Sequence, residues 1–215
     1  MPSKVFNALH RLGCILPLAV NQQLCSDNIK LLHQAILYSF IKTGDVLQRD
    51  KMCSIVDDVD SALLFLKQKN LVVFDEHLQI VGAYPFTTED REHKLKVNGF
   101  SLNAMCALDA ISVSSMFQVK TVVSSFCRVT QSKIHIELDK GKLTNQQQAK
   151  DIHIAINWSA ASGEACCADS LCLEMLFLID FDTAQHWLTL NPNDSQVFTL
   201  DESLELAGLL FNPLV

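Results

Sequence analysis

The sequence predicts an α+β protein: a helical, winged-helix-like N-terminal domain over residues 1–84, then a mixed, mainly antiparallel sheet domain with flanking helices over 85–215. Three observations predict it. Apolar residues recur at helical spacing from Ile29 to Leu66, segments alternating with period two occupy the middle of the chain, and the change between the two patterns falls at the polar linker Thr87 to His93.

Residues 3–13 predict a short helix, followed by a polar break at Asn21-Gln22-Gln23 and Ser26-Asp27-Asn28. Ser26 or Asp27 then caps a helix whose Ile29, Leu32, Ile36 and Phe40 form one apolar stripe, and Thr43-Gly44 ends it where glycine suits a C-cap. A second short helix covers 49–56. A third begins at Asp57 or Asp58, buries Val59, Ala62, Leu63 and Leu66, and runs into strands over 71–74 and 78–81 around the turn Asp75-Glu76-His77. Three helices and a hairpin make the winged-helix pattern. The third helix, however, opens on Asp57, Asp58 and Asp60 and offers only Lys67 and Lys69 near its end, a face that repels phosphate.

Beyond the linker, residues 94–97 predict a strand, Asn98-Gly99 a turn, and Asn103 to Met116 a helix capped by Asn103. Strands follow at 119–126, 133–138 and 151–158, the last two alternating through Ile134, Ile136, Leu138 and Ile152, Ile154, Ile156. Asp139-Lys140-Gly141-Lys142 and the amides of Asn145 to Gln148 read as a surface connection, and 159–169 as a small-residue loop. Cys172 to Phe181 reads as a nearly continuous apolar strand. Asp182 or Thr183 caps a helix through Trp187, and 201–210 is a last helix.

With 215 residues, 49% of them hydrophobic and 19% charged, the chain is long enough and apolar enough for one good core or two small ones. The formal charge of −7 argues against a nucleic-acid or membrane partner, since both rest on clustered Lys and Arg. The apolar run from Cys14 to Val20 is too short to span a bilayer and is broken by Pro17, so the expected location is cytoplasmic. Eight cysteines then read as reduced thiols, metal ligands or catalytic groups, not as a disulfide framework. A structural zinc site would need two close ligand pairs. Here the one tight group is Cys166, Cys167 and Cys172, and the seven histidines are scattered without metal-binding spacing.

On a helix, Cys106 and Asp109 stand three apart and share a face. A helix N-terminus favours a thiolate at Cys106, while a carboxylate so close to a thiolate cannot also carry charge cheaply. Asp109 is therefore expected to keep a proton at a raised pKa, as a candidate acid. The bland alternative is that a free cysteine in an apolar helix is an inert small hydrophobe.

Four segments change that balance: Met105-Cys106-Ala107-Leu108-Asp109, Val123-Ser124-Ser125-Phe126-Cys127, Ser170-Leu171-Cys172-Leu173 and Thr183-Ala184-Gln185-His186-Trp187. In order, and over most of the chain, they resemble the W-C-A-L-D, V-S-S-H-C, S-F-C-C and T-A-E-D-W segments of the organomercurial (alkylmercury) lyases. The spacing from the first cysteine to the second, and from the third to the tryptophan, matches the family's. The resemblance implies that 85–215 is the catalytic domain. It also implies that Cys106 and Cys172 bind mercury, that Asp109 supports proton delivery to carbon, and that Cys127 is structural. The implied reaction is protonolysis of a carbon–mercury bond to a hydrocarbon and Hg(II). It needs no organic cofactor, Hg(II) remains as bound product, and the implied partners are an organomercurial substrate, low-molecular-weight thiols and a mercuric reductase. Thiolate suits such a soft metal on independent grounds. Three residues depart from the pattern: Met105 replaces the tryptophan, Leu173 replaces the second of the paired cysteines, and Cys166-Cys167 is an extra pair expected to supply accessory thiols. The rival reading is a non-enzymatic soft-metal binding or sensing protein using the same thiols, with the winged-helix module as its output.

Overall fold

Ser3 opens the first helix, α1 (Lys4–Ile15), by accepting a hydrogen bond from the Phe6 N–H, and Val5, Ala8 and Leu12 form its buried stripe. The structure, a computed structural model, describes residues 3–161 and 166–215. The expected break at Asn21-Gln22-Gln23 is instead a second helix, α2 (Leu18–Gln23). Gln22 is polar but buried: its amide donates to the Leu214 carbonyl and to His33 Nδ1, both at 2.8 Å. A satisfied polar group belongs in a core, and the sequence pattern cannot distinguish it from a surface one. His33, accepting there and meeting the Leu71 carbonyl through Nε2, is neutral, its pKa lowered to about 4 by burial.

Helix α3 (Asp27–Thr43) follows the expected stripe, with Ser26 at its N-cap and Gly44 closing it at φ +81. Helix α4 (Arg49–Cys53) is short, and α5 (Val59–Gln68) starts from Asp58, whose carboxylate accepts from the Ser61 N–H. Strands β1 (Val73–Phe74) and β2 (Ile80–Ala83) then pair antiparallel.

Strands β1 and β2 open one antiparallel sheet of 8 strands. Strand β3 (Phe86–Thr87) joins β2, and β4 (His93–Val97) turns through Asn98-Gly99 into β5 (Phe100–Ala104). Both turn residues have positive φ, 50 and 86, which folds the chain straight back so that Val97 faces Phe100. That turn corrects the expectation for Asn103. It lies in the β5 ladder opposite Lys94 and caps no helix. Helix α6 (Ala107–Phe117), strand β6 (Lys120–Phe126), β7 (Lys133–Asp139), β8 (Lys142–Leu143) and the single-turn helix α7 (Gln146–Ala149) follow. The strand order is β1-β2-β3-β5-β4-β6-β7-β8.

A second, 3-stranded antiparallel sheet places β9 (His153–Asn157) between β10 (Met175–Leu178) and β11 (Ser195–Thr199). Helix α8 (Phe181–Leu190) is capped by Asp180, two residues earlier than the first expected cap, and α9 (Leu200–Phe211) by a capping box between Thr199 and Glu202.

Helix α6 is buried on every side except at Ser115, as expected of a helix apolar all round. It packs on the large sheet, on β10 and on α9, so its N-terminus opens where the two sheets meet. The N-terminal helices share this core: Phe40 of α3 stacks on Phe86 of β3, which in turn leans on Phe117 of α6. No described helix is long and apolar enough to cross a membrane.

Candidate active site

Between β5 and α6 stands Cys106, the N-cap of the helix. Its backbone is extended, and its Sγ accepts from the Asp109 N–H at 3.3 Å. Caps are usually Ser, Thr, Asp or Asn, so a thiol here spends a structural position on a different chemistry. Asp109 follows in the first turn and is buried with it, as the sequence spacing predicts.

Cys172 arrives from the other side. The expected strand from Cys172 to Phe181 is corrected: Cys172 lies in a 3-10 run, Leu171–Glu174, and ladder pairing starts only at Met175 opposite Ile156. An unbroken apolar run fits a buried 3-10 turn as well as a buried strand, and burial alone leaves the two alike. Cys172 is therefore held by turn hydrogen bonds, Leu173 N–H to the Ser170 carbonyl among them. Two arginines brace the segment. Arg91 donates to the Ala168 carbonyl and to Asp169 while pairing with Glu89, and Arg128 donates to the Leu173 carbonyl while pairing with Glu92.

One ligand atom from each of Cys106, Asp109 and Cys172 lies within 4.8 Å of the other two, and all three residues are buried. Met175 adds its thioether 3.5 Å from the Cys106 sulfur. The Cys167 sulfur stands 3.7 Å from that of Cys172, and half-buried Cys166 has its sulfur 3.6 Å from the Tyr84 hydroxyl. Cys127 is buried at the end of β6, its N–H given to the Ser132 carbonyl, and stands outside the trio. A cleft of about 780 Å³ between α5 and the β1–β2 hairpin, lined by Leu63, Phe74 and Ile80, carries no thiol and lies away from this chemistry.

Of the departures, Met105 is buried, and a Cβ placed on Gly82 would come within 2.5 Å of its Cε, so the β2 glycine makes room for it. Leu173 is 43% exposed and adds nothing to the trio.

Among the described residues, neither oxygen of the Asp109 carboxyl has a hydrogen-bond partner. Burial pushes its pKa up to about 7, and burial likewise pushes Cys106 up to about 12. Cys172 is raised well above the usual thiol range by the neighbouring Cys106 and Cys167 sulfurs and by burial. The thiolate expected at Cys106 from the helix N-terminus is thus outweighed by desolvation, and the carboxyl is raised in the expected direction but by burial, not by a neighbouring thiolate. Tyr84, Met175, Arg91 and Arg128 went unnoticed in the sequence. None belongs to a spacing pattern, and only the adjacency of Met175 to the Cys172 segment hinted at it.

The alkylmercury lyase family model matches residues 86–212, a stretch that contains all three members of the trio. A curated relative, the alkylmercury lyase of Staphylococcus epidermidis (strain ATCC 12228 / FDA PCI 1200), is 23% identical over 151 residues. That match covers 70% of this chain and 66% of the relative, just under two thirds of its length. Among solved structures, the mercury-bound form of MerB2 superposes with a TM-score of 0.75 at 19% identity, covering 96% of this chain and 100% of that one, a likeness of fold. Because the family model spans more than half the sequence and includes the Cys106 cap and the Cys172 turn alike, the chain belongs to the alkylmercury lyase family.

Proposed function

We propose that this protein is an organomercurial lyase that cleaves the carbon–mercury bond by protonolysis. The observation that carries the reading is the carboxyl of Asp109, buried beside two thiols and without a hydrogen-bond partner among the described residues. Such a group is costly to keep unless it has work to do.

An organomercurial entering the site meets Cys106 and Cys172, and mercury displaces their protons as it binds, since thiolate is the softest ligand a protein offers. One proton leaves with the substrate's former counter-ligand. Two thiolates donate electron density to mercury and leave its carbon more basic. Asp109, protonated at the outset, gives that carbon its proton, the carbon–mercury bond breaks, and the products are R–H and Hg(II) on Cys106 and Cys172. The second thiol proton passes to Asp109 in place of the one it has given, so the acid returns to its starting form.

Around this centre, residues 85–215 act as the catalytic domain and 1–84 as a winged-helix-like scaffold that does not read DNA, its α5 leading with Asp58 and Asp60. Low-molecular-weight thiols and a mercuric reductase take the product in the cytoplasm, and no organic cofactor takes part. Cys127 serves the packing of the β6 end.

Incubation with phenylmercury and excess thiol tests the reading by measuring benzene release. Stoichiometric binding of mercury without hydrocarbon, joined by salt-sensitive, metal-dependent binding to duplex DNA, would favour the non-enzymatic sensor.

A further inference from the structure

Cys167 has no place in the cleavage step, yet its sulfur touches that of Cys172 at 3.7 Å. Fractional exposure rises stepwise along the thiols, from 1% at Cys106 to 3% at Cys172 and 7% at Cys167, and Cys166 is half-buried. Cys166, next to Cys167 in the chain, has its sulfur against the hydroxyl of buried Tyr84. Exposure therefore rises from Cys106 through Cys172 and Cys167 to Cys166. Arg91 holds the intervening segment through the Ala168 carbonyl and the Asp169 carboxylate, and Cys167 and Cys172 meet across the turn.

A buried two-thiolate site holds a soft metal well and releases it poorly, because an external thiol must reach the metal before either bond breaks. We infer that Cys167 is the exit thiol of this site, taking Hg(II) from the Cys106–Cys172 pair and presenting it beside Cys166 to thiols outside. The inference rests on the mercury-binding part of the proposed function. The exchange is balanced. Cys167 gives up its proton and its sulfur bonds mercury, the bond from mercury to Cys106 breaks, and the departing Cys106 sulfur takes up that proton. Mercury stays divalent and bonded to Cys172 throughout, so no oxidant or reductant is needed. Repeating the step outward puts the metal on Cys167 and Cys166, where an incoming thiol finds it.

The test needs no carbon–mercury cleavage. The purified protein is loaded with one equivalent of Hg(II) from mercuric chloride, excess glutathione is added, and mercury leaving the protein is followed by the metal that remains in the protein fraction after rapid desalting at timed intervals. Cys167→Ser and Cys167→Ala are both expected to release mercury about tenfold more slowly than the parent, a difference of about 1.4 kcal/mol in barrier. Release at the parent rate in both variants overturns the inference. Faster release also overturns it, and that is the sign a loosened or unfolded variant would give, so a folding defect cannot imitate the expected result. Failure of the parent to liberate benzene from phenylmercury would sink the lyase reading and leave these rates to decide the exit route on their own.

Discussion

The two segments that bring sulfur to the site are built on different principles. Cys106 and Asp109 sit at the start of α6, a helix buried almost all round, and their positions follow from backbone bonds: Ala110 N–H to the Cys106 carbonyl, and Asp109 N–H to the Cys106 sulfur. Cys172 sits in a 3-10 turn braced by side chains, with Arg91 and Arg128 reaching in from exposed ion pairs. The acid and its thiol are thus carried by the rigid element, and the second thiol by the adaptable one. That division suits the proposed chemistry. Proton transfer to carbon tolerates little misplacement, whereas a thiol that must accept a metal and later release it gains from freedom to shift.

The largest expected effect breaks both sides at once. Cys106→Ser and Cys172→Ser should each cut benzene release from phenylmercury by at least about a thousandfold, the scale seen when a member of a catalytic unit is removed. If Cys172→Ser keeps turning over while the Cys166→Ser, Cys167→Ser double variant is dead, the second ligand belongs to the loop and the division drawn above is misplaced.

Next in size is the acid. Asp109→Asn should lower turnover at saturating substrate by about 10²–10⁴-fold, the usual worth of a general acid. Parent-level turnover would remove Asp109 from the mechanism. A stability measurement sharpens the same point. The folded-state pKa of Asp109 is raised from 3.8 to about 7 by burial, so the folded protein binds this proton more tightly than the unfolded chain. The stability so contributed is complete below pH 3.8 and is lost as pH rises toward 7, by an amount on the order of 4 kcal/mol. Asparagine carries no such loss. Denaturant titration of Asp109→Asn should therefore show stability gained relative to the parent between pH 4 and pH 8, and a difference that ignores pH would mean the native carboxyl is not held protonated.

How much of this the sequence disclosed also divides between the two segments. Cys106 and Asp109 are legible because helical spacing puts them on one face, even though Asn103, the expected cap, lies inside β5, which the Asn98-Gly99 turn pairs with β4. The pairing of Cys172 with Cys106 came from the resemblance alone, since the contact joins distant parts of the chain and has no local signature. The contact of Cys167 with Cys172 depends on a turn that an apolar run does not distinguish from a strand. Charge misled too: a helix N-terminus argues for a thiolate, and only the extent of burial, a tertiary quantity, shows desolvation to be the larger effect. In the N-terminal half the amphipathic stripes of α3 and α5 were plain, while α2 hid behind the amides of Gln22 and Gln23, because the partners of Gln22 are His33 and the last residues of the chain.

The smallest effect tests the brace on the Cys172 segment. The Arg91 side chain is 17% exposed, while its partners Glu89 and Asp169 are 44% and 59% exposed. Pairs so open to solvent are worth at most about 1 kcal/mol, which for a chain of this size is a fall in Tm of about 2–4 °C in Arg91→Ala. The contact to the Ala168 carbonyl adds position more than energy, since it fixes the backbone between Cys167 and Cys172. Arg91→Ala should therefore cost about threefold in kcat/KM for phenylmercury, under 1 kcal/mol of barrier, and Arg91→Lys should recover only part of it because an ammonium cannot fork between two carboxylates and a carbonyl. Gln118→Asn, just beyond the far end of α6, should change neither quantity, as that exposed position lies outside the trio and outside the Cys172 segment. If Arg91→Ala matches the parent in both Tm and kcat/KM, the 3-10 hydrogen bonds alone hold Cys172, and the two sides of the site are equally dependent on backbone.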